Sequence, residues 1–559
     1  MKANERRLSE IIFSPSQYVI PVFQRYYVWE NDSWNRLWED LILLLESEEE
    51  KSHFLGSIVC IPELNPPGAI AAFQLIDGQQ RLITISVLLC AIRDCAKKMG
   101  WNELAAEVEE NFLIHRFKKG RERYKIYPRM KDRDRYIYLI DDQQNEQLSR
   151  INLAYNYFTK EIESKDLLND EDSLRRIFTI VTEKLDFVVI TLQGENPYKI
   201  FRSLNSTGVD LEQSDLIRNH VFTVLPIDEQ DLFDEQHWNQ IEVNFETKGK
   251  INSSDLTAFF RDFLMMTGKY VLERDVFETF IKRYPSDKIQ PKNLVLELKS
   301  NAKRYYCIRG EENHKNTDIQ NALKMIRELS IGTSYPLLLT LFEMYDNQKI
   351  NSLELEKALR AISSFVLRRF ICKLTNRRYG NWFSEACKYL EDKPLQNLFN
   401  YLIGKEWPTD EEFITNFQKF DLYSSKYARP VIQGLEIAQQ ASSEPVTLDN
   451  CTIEHIMPQT IEEDNYGFFW MQDLGEDWQR IHRTWLHTPG NLTLVWSAYN
   501  IDMKNKPFIT KKLVFEESRV YLNKYFTDSE LIKWGEEEII NRGIDLAKIA
   551  AKVWSRPDS

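Results

Sequence analysis

Hydrophobic positions along the chain fall into three regimes. In the first, short helical and extended patterns alternate. Leu8, Ile11 and Ile12 fit a short helix that ends before Pro15, and Tyr18 to Trp29 is β-prone and ends in aromatics. Trp34, Leu37, Trp38, Leu41 and Leu45 recur at helical spacing with acids on the other face, a pattern that predicts core. Phe73–Ile76 reads as a strand that runs through Asp77-Gly78 into an apolar helix, Leu82–Ile92. Residues 142–190 read as helical, leading into the strand Phe187–Leu192. In the second regime, from about 230 to 445, the spacing is helical throughout, as at Leu256, Phe259, Phe260, Phe263 and Leu264 and again over Ala358–Phe370 and Phe413–Phe420. The third begins with a short strand, Thr452–Ile456, and a second one, Leu492–Val495, after a Gly-Asn turn. Helices follow over 513–554. The predicted fold class is α+β, predominantly helical.

Composition narrows the function classes. A chain of 559 residues suggests several domains, and the pattern divides it into 1–230, 231–445 and 446–559, with the polar stretch Gln439–Asn450 as the linker into the last. The formal net charge of −13 argues against a uniformly basic nucleic-acid coat, so DNA would be met by local patches. Seven widely spaced cysteines without a Cys-x-x-Cys pair fit a reducing cytoplasm. The N-terminus lacks a signal-type apolar region, and the longest apolar run, Leu82–Ile92, is too short to span a bilayer. A cytoplasmic protein without membrane contact is the expectation.

The third regime carries the sharpest chemistry. Thr452-Ile453-Glu454-His455-Ile456-Met457-Pro458-Gln459 is a strand ending in an acid and a histidine. His487-Thr488-Pro489-Gly490-Asn491-Leu492-Thr493-Leu494 follows, and then Asn500 on a helix. Glu454 and Asn500 offer oxygen ligands to a hard cation, and a neutral imidazole beside it can take a proton from water. The set suits phosphodiester hydrolysis. A rival arrangement is zinc on Cys451, His455, His482 and His487, whose spacing is finger-like.

This arrangement resembles the HNH (ββα-metal) nucleases. The resemblance implies His455 as general base, Glu454 and Asn500 as ligands of Mg2+ or Mn2+, and Asn491 as a brace of the loop. Glu stands where Asp is commoner, Asn where His is, and about 30 residues separate the halves.

Strand, tight turn and helix at Asp77-Gly78-Gln79-Gln80-Arg81 is a geometry that presents free N–H groups to an anion, with Asp77 able to cap the helix. No Gly-x4-Gly-Lys-Ser/Thr occurs, which disfavours a P-loop ATPase. With Ile20-Pro-x-Phe-Gln-Arg-x-Tyr-Val-Trp29, Ile200-Phe-Arg-Ser-Leu-Asn-Ser-Thr-Gly208 and Ser214-Asp-Leu-Ile-Arg-Asn219, this turn resembles the N-terminal domain of GmrSD-type modification-dependent restriction endonucleases. That resemblance implies a ParB/sulfiredoxin-like mixed α/β fold. It also implies a nucleoside triphosphate held by Gln24, Arg25, Asp77, Gly78, Gln79, Gln80 and Arg81, and cleavage of modified, double-stranded phage DNA.

Ten Lys or Arg lie between Arg116 and Arg135 with tyrosines interleaved, which makes Lys118, Lys119, Arg121 and Arg123 candidate phosphate contacts. Arg202, Asn205, Arg218 and Asn219 form a second candidate DNA-binding set. Arg368, Arg369, Lys373, Arg377 and Arg378 read as a solvated helix face. A regulator with an inactive HNH-like domain is the alternative to the nuclease, and a homodimer stays open.

Overall fold

The computed structural model describes residues 2–557 apart from 14, 23, 25, 48–51, 64–68, 144–148, 165–166, 193–211, 248–249, 441–445, 462–465 and 499–502. The fold is α+β and predominantly helical, with a mixed sheet in the N-terminal region. The chain forms two compact units, Met1–Phe260 with Leu272–Ser300, and Arg261–Val271 with Asn301–Ser559.

The first unit is built on strands β1 (Lys2–Arg7), β2 (Ser16–Val19), β3 (His53–Pro62), β4 (Ala71–Asp77), β5 (Ile126–Tyr127) and β6 (Leu185–Thr191). Their order is β1-β6-β3-β4-β2-β5. β1 carries no apolar pattern and was invisible to periodicity. It is an edge strand, paired antiparallel to β6 from Lys2↔Thr191 to Arg7↔Asp186, and charged edges of this kind resist pairing with other chains. β3 is likewise an addition to the predicted set.

The expected extended run Tyr18–Trp29 is only partly strand. Ladder pairing ends at Val19, Pro21 has no N–H to donate, and side chains then hold the segment. The helix Gln79–Met99 is buried nearly all round, as an all-apolar pattern requires. Tyr136, one of the tyrosines interleaved with the basic run, lies in the core and meets the Ser86 hydroxyl at 2.6 Å. The helix Gln213–Thr223 and a two-stranded ladder, β7 (Glu246–Thr247) with β8 (Lys250–Ile251), belong to the same unit.

Helices make up most of the second unit. Its described strands, β9 (Cys451–His455) and β10 (Leu492–Trp496), pair antiparallel, with His455 opposite Leu492 and Glu454 opposite Thr493. Ile456, Met457, Trp470, Phe508, Phe515, Phe526 and Trp534 pack beneath this hairpin.

Of the expected solvated cluster, Lys373, Arg377 and Arg378 are exposed, but Arg368 and Arg369 are not. Arg368 and Arg369 are fully buried in the helix Ser352–Ile371. Arg368 donates to Ala551 O at 3.0 Å and Trp554 O at 2.6 Å, where the helix Glu536–Val553 ends, and Arg369 donates to Lys405 O at 2.7 Å and Thr375 O at 3.0 Å. Guanidinium groups at the carbonyl end of a helix satisfy acceptors that the helix itself cannot.

Candidate functional site

Two adjacent residues at the end of β9 define the site. Neighbours in a strand leave it on opposite faces, and here each face has its own partners. Glu454 and His455 are both buried, at 6% and 4% exposure.

His455 faces a second histidine. Its Nε2 lies 3.1 Å from His487 Nδ1, and Gln459 Nε2 lies 3.2 Å from its Nδ1. A carboxamide N–H is a donor, so Nδ1 carries the lone pair and the proton of the neutral ring sits on Nε2, facing His487. The Tyr423 ring stacks on His487 at 5.3 Å and 11° and meets His455 edge-on at 4.3 Å. Desolvation, then the nearby His487, Lys511 and His482, push the His455 pKa down to about 3, so the imidazole is neutral across the physiological range.

Glu454 faces a buried lysine. Lys511, in the helix Phe508–Glu517, puts Nζ 2.5 Å from Glu454 Oε1 and 2.8 Å from His455 O, with no side-chain exposure. Burial pushes the Glu454 pKa up and the Lys511 pKa down, while the partner opposes each shift. Lys511 thereby fixes both the carboxylate and the backbone that carries the histidine.

Asn491, fully buried, ties the strand exit. Its Oδ1 accepts from Met457 N at 2.7 Å and Trp534 Nε1 at 3.1 Å, and its Nδ2 donates to Met457 O at 3.0 Å and Leu486 O at 2.9 Å. Its side chain thus ties Met457, two residues after His455, to Leu486 and Trp534. Gly490 is required there by close approach, because a Cβ would fall 2.2 Å from Ile539 O. Asn500 lies outside the described residues.

The finger-like zinc set does not gather. Cys451 pairs with Trp496 and His455 with Leu492, at opposite ends of the hairpin, and His482 Nε2 is 2.9 Å from Pro458 O. Among the described residues no three His, Cys, Asp or Glu side chains converge as a metal cluster. The Glu454 carboxylate is a hard oxygen donor and fits instead a hard cation that keeps waters and takes phosphate oxygens. The sequence reading did not assign Lys511, His487 in this role, Gln459 or Tyr423. Gln459 had a signal, four residues beyond His455.

In the first unit, three sequence segments meet at one loop. Gln24, 1% exposed, donates to Ile76 O at 2.8 Å and Leu75 O at 3.2 Å. Gln80 accepts from Val28 N at 2.9 Å and donates to Tyr26 O at 3.1 Å. Arg218 donates to Val22 O at 3.0 Å.

Gly78 has φ +94, and a Cβ there would press on Ser57 O and Ile58. No side chain caps the helix Gln79–Met99. Asp77 pairs with Arg81 at 3.6 Å rather than capping, and Arg81 donates to Ser57 O at 2.5 Å. Gln79 Oε1 and Asn219 Oδ1 are buried, and neither has a hydrogen-bond partner among the described residues. The uncapped helix N–H groups suit a phosphate-bearing ligand, whereas the two amide oxygens are acceptors and would take a donor instead. Arg25, Arg202 and Asn205 lie outside the described residues.

Arg218 is not a surface contact. At 3% exposure its guanidinium pairs with Asp234 and, at 2.6 Å, with Glu242, while Arg129 pairs with Asp234 at 3.2 Å and covers the Tyr26 ring at 3.6 Å. Each nitrogen of the Arg218 guanidinium already has a partner inside the fold, at Val22 O, Glu242 and Asp234. Asn219, 4% exposed, is equally remote from solvent. Lys118, Lys119, Arg121 and Arg123 do reach the surface, with Lys118 paired to Glu122 at 3.1 Å, Arg121 to Glu63 at 2.8 Å and Arg123 to Asp141 at 3.3 Å.

Residues 8–222 match the family described as GmrSD restriction endonuclease, N-terminal domain, and residues 407–549 match GmrSD restriction endonucleases, C-terminal domain. No curated protein matches the chain. No helix among the described residues is long and apolar enough to cross a membrane.

Proposed function

This chain belongs to the GmrSD restriction endonuclease family, and from that premise we propose that it is a nucleotide-stimulated nuclease that cleaves modified DNA at the Glu454–His455 hairpin. Type IV restriction is the activity of the family, and DNA is its substrate. The observation that carries the proposal for this chain is the neutral, doubly held imidazole of His455 at the end of the strand that also carries the Glu454 carboxylate.

The Nε2–H bond to His487 holds the ring in the tautomer whose lone pair is on Nδ1, and Nδ1 takes the proton of the attacking water once that water replaces the Gln459 amide as its hydrogen-bond donor. Glu454 and Asn500 would hold Mg2+ or Mn2+, which when bound stabilises charge on the phosphate and the leaving oxygen. Lys511 opposes the effect of burial on Glu454 and holds it in place, and Asn491 keeps His455 at the strand end. In the first unit, the uncapped N–H groups after Gly78, with Gln79 and Arg81, take the phosphates of a nucleoside triphosphate.

The test is a cleavage panel over DNAs that differ only in base or backbone modification, with Mg2+ and with or without nucleotide. Cutting confined to a modified DNA and accelerated by nucleotide is expected. Equal cutting of plain DNA, or no cutting of any, contradicts the proposal. One observation favours a second reading, a DNA-binding regulator whose hairpin is structural: a buried ammonium already occupies Glu454 Oε1. Calorimetry separates the two, because a structural hairpin binds no Mg2+ that Glu454→Gln removes.

A further inference from the structure

The loop after the helical segment Glu109–Leu113 combines features that no catalytic role uses. Ile114 and Tyr124 form an antiparallel bridge, and His115 N donates to Arg123 O at 2.6 Å, so the intervening residues project as a closed loop. Its base is pinned to the sheet. Gln17 Nε2 donates to Arg121 O at 2.5 Å and Tyr124 O at 2.8 Å, His115 Nε2 lies 3.2 Å from Ser16 O, and buried Lys125 donates to Ile12 O at 2.8 Å. At the tip stands Phe117, 91% exposed. An aromatic ring so fully in water on a rigidly based loop gains nothing from folding.

Its surroundings say what it meets. From Arg116 to Lys125 the chain has six Lys or Arg and one Glu, in a protein whose net charge is −13. Arg116 reaches over the Phe117 ring at 5.8 Å, and its side chain is 61% exposed. Lys119 is exposed, and the pairs that Arg116, Lys118 and Arg121 make with Glu110, Glu122 and Glu63 involve partly exposed side chains, which a phosphate can take over at small cost. An apolar side chain presented between phosphate-seeking cations has the chemistry of a wedge that enters a base step and unstacks it.

We propose that Phe117 inserts into the base stack of bound duplex DNA, with Arg116, Lys118, Lys119 and Arg121 on the flanking phosphates. Unstacking is easiest at altered or weakened steps, so the wedge also samples the duplex for modification. The inference rests on the reading that the chain binds DNA, and the experiment keeps the two apart.

Duplexes carrying 2-aminopurine are titrated with the full chain, Phe117→Ala, and the double variant Arg116→Gln/Lys119→Gln, over a range of salt. The wild-type protein is expected to raise 2-aminopurine fluorescence. Phe117→Ala is expected to bind about 10-fold more weakly, to give no fluorescence rise, and to keep the slope of log K against log salt, because no charge changes. The double variant flattens that slope while retaining the fluorescence signal at saturation. With Phe117 so exposed, an unchanged melting temperature confirms that the alanine variant is folded. Unaltered affinity and fluorescence in Phe117→Ala overturns the wedge alone. A wild-type chain that binds no duplex overturns both the wedge and the reading beneath it.

Discussion

His455 Nε2 and His487 Nδ1 face each other at 3.1 Å, from residues 32 positions apart in the chain, with Tyr423 stacked on the second ring. A histidine general base is useful only in one tautomer, and this contact sets it. His487→Leu removes the acceptor for the Nε2 proton and is expected to lower kcat for cleavage about 100-fold at unchanged KM. His487→Gln, which can still accept that proton, recovers most of the loss. Single-turnover cleavage of a labelled duplex measures both.

Lys511 and Glu454 stabilise each other only as a pair. Lys511→Met strands a carboxylate in a buried site and is expected to cost about 3 kcal/mol in denaturant unfolding of the second unit. Glu454→Gln in the same chain restores much of it, although the double variant cannot cut. Equal destabilisation by the single and double variants contradicts the pairing.

Arg218 serves the fold. Arg218→Met leaves Asp234 and Glu242 short of a counter-charge and is expected to lower stability by about 3 kcal/mol, with the salt dependence of DNA binding unchanged in the protein that remains folded. A flatter salt slope at wild-type stability contradicts this placement.

Buried Asp262 gives a pH dependence of known sign. Burial pushes its pKa up from 3.8 to about 7, with the Tyr305 hydroxyl 3.2 Å away. The folded chain therefore keeps a proton between pH 3.8 and 7 that the unfolded chain has lost, and stability falls as pH rises through that window. Asp262→Asn removes the dependence. It is expected to raise stability at pH 8 by about 2 kcal/mol relative to wild type, and to change it little at pH 4. Thermal unfolding at both pH values decides it.

The elements that the sequence disclosed are those in which one face is buried. Trp34, Leu37, Trp38 and Leu41 are all core, and both nuclease strands fall where alternation put them. β1 was hidden because an edge strand of Lys-Ala-Asn-Glu-Arg-Arg has no apolar alternation and is held to β6 by its backbone ladder. Charged residues were the harder case. Arg218, Arg368 and Arg369 look identical in sequence to surface cations, and only long-range carboxylates and helix ends, 16 to 186 residues away, account for their burial. At the site, Glu454, His455 and Asn491 were legible because their chemistry is local to the hairpin. His487 and Lys511 act across 32 and 57 positions, a separation that no spacing rule bridges.

The most direct test is cleavage by His455→Ala in Mg2+ with a modified duplex, alongside nucleotide hydrolysis by the same preparation. Loss of cutting by at least 100-fold with hydrolysis intact is predicted. Cutting at the wild-type rate would show that the imidazole at the end of β9 is not the base.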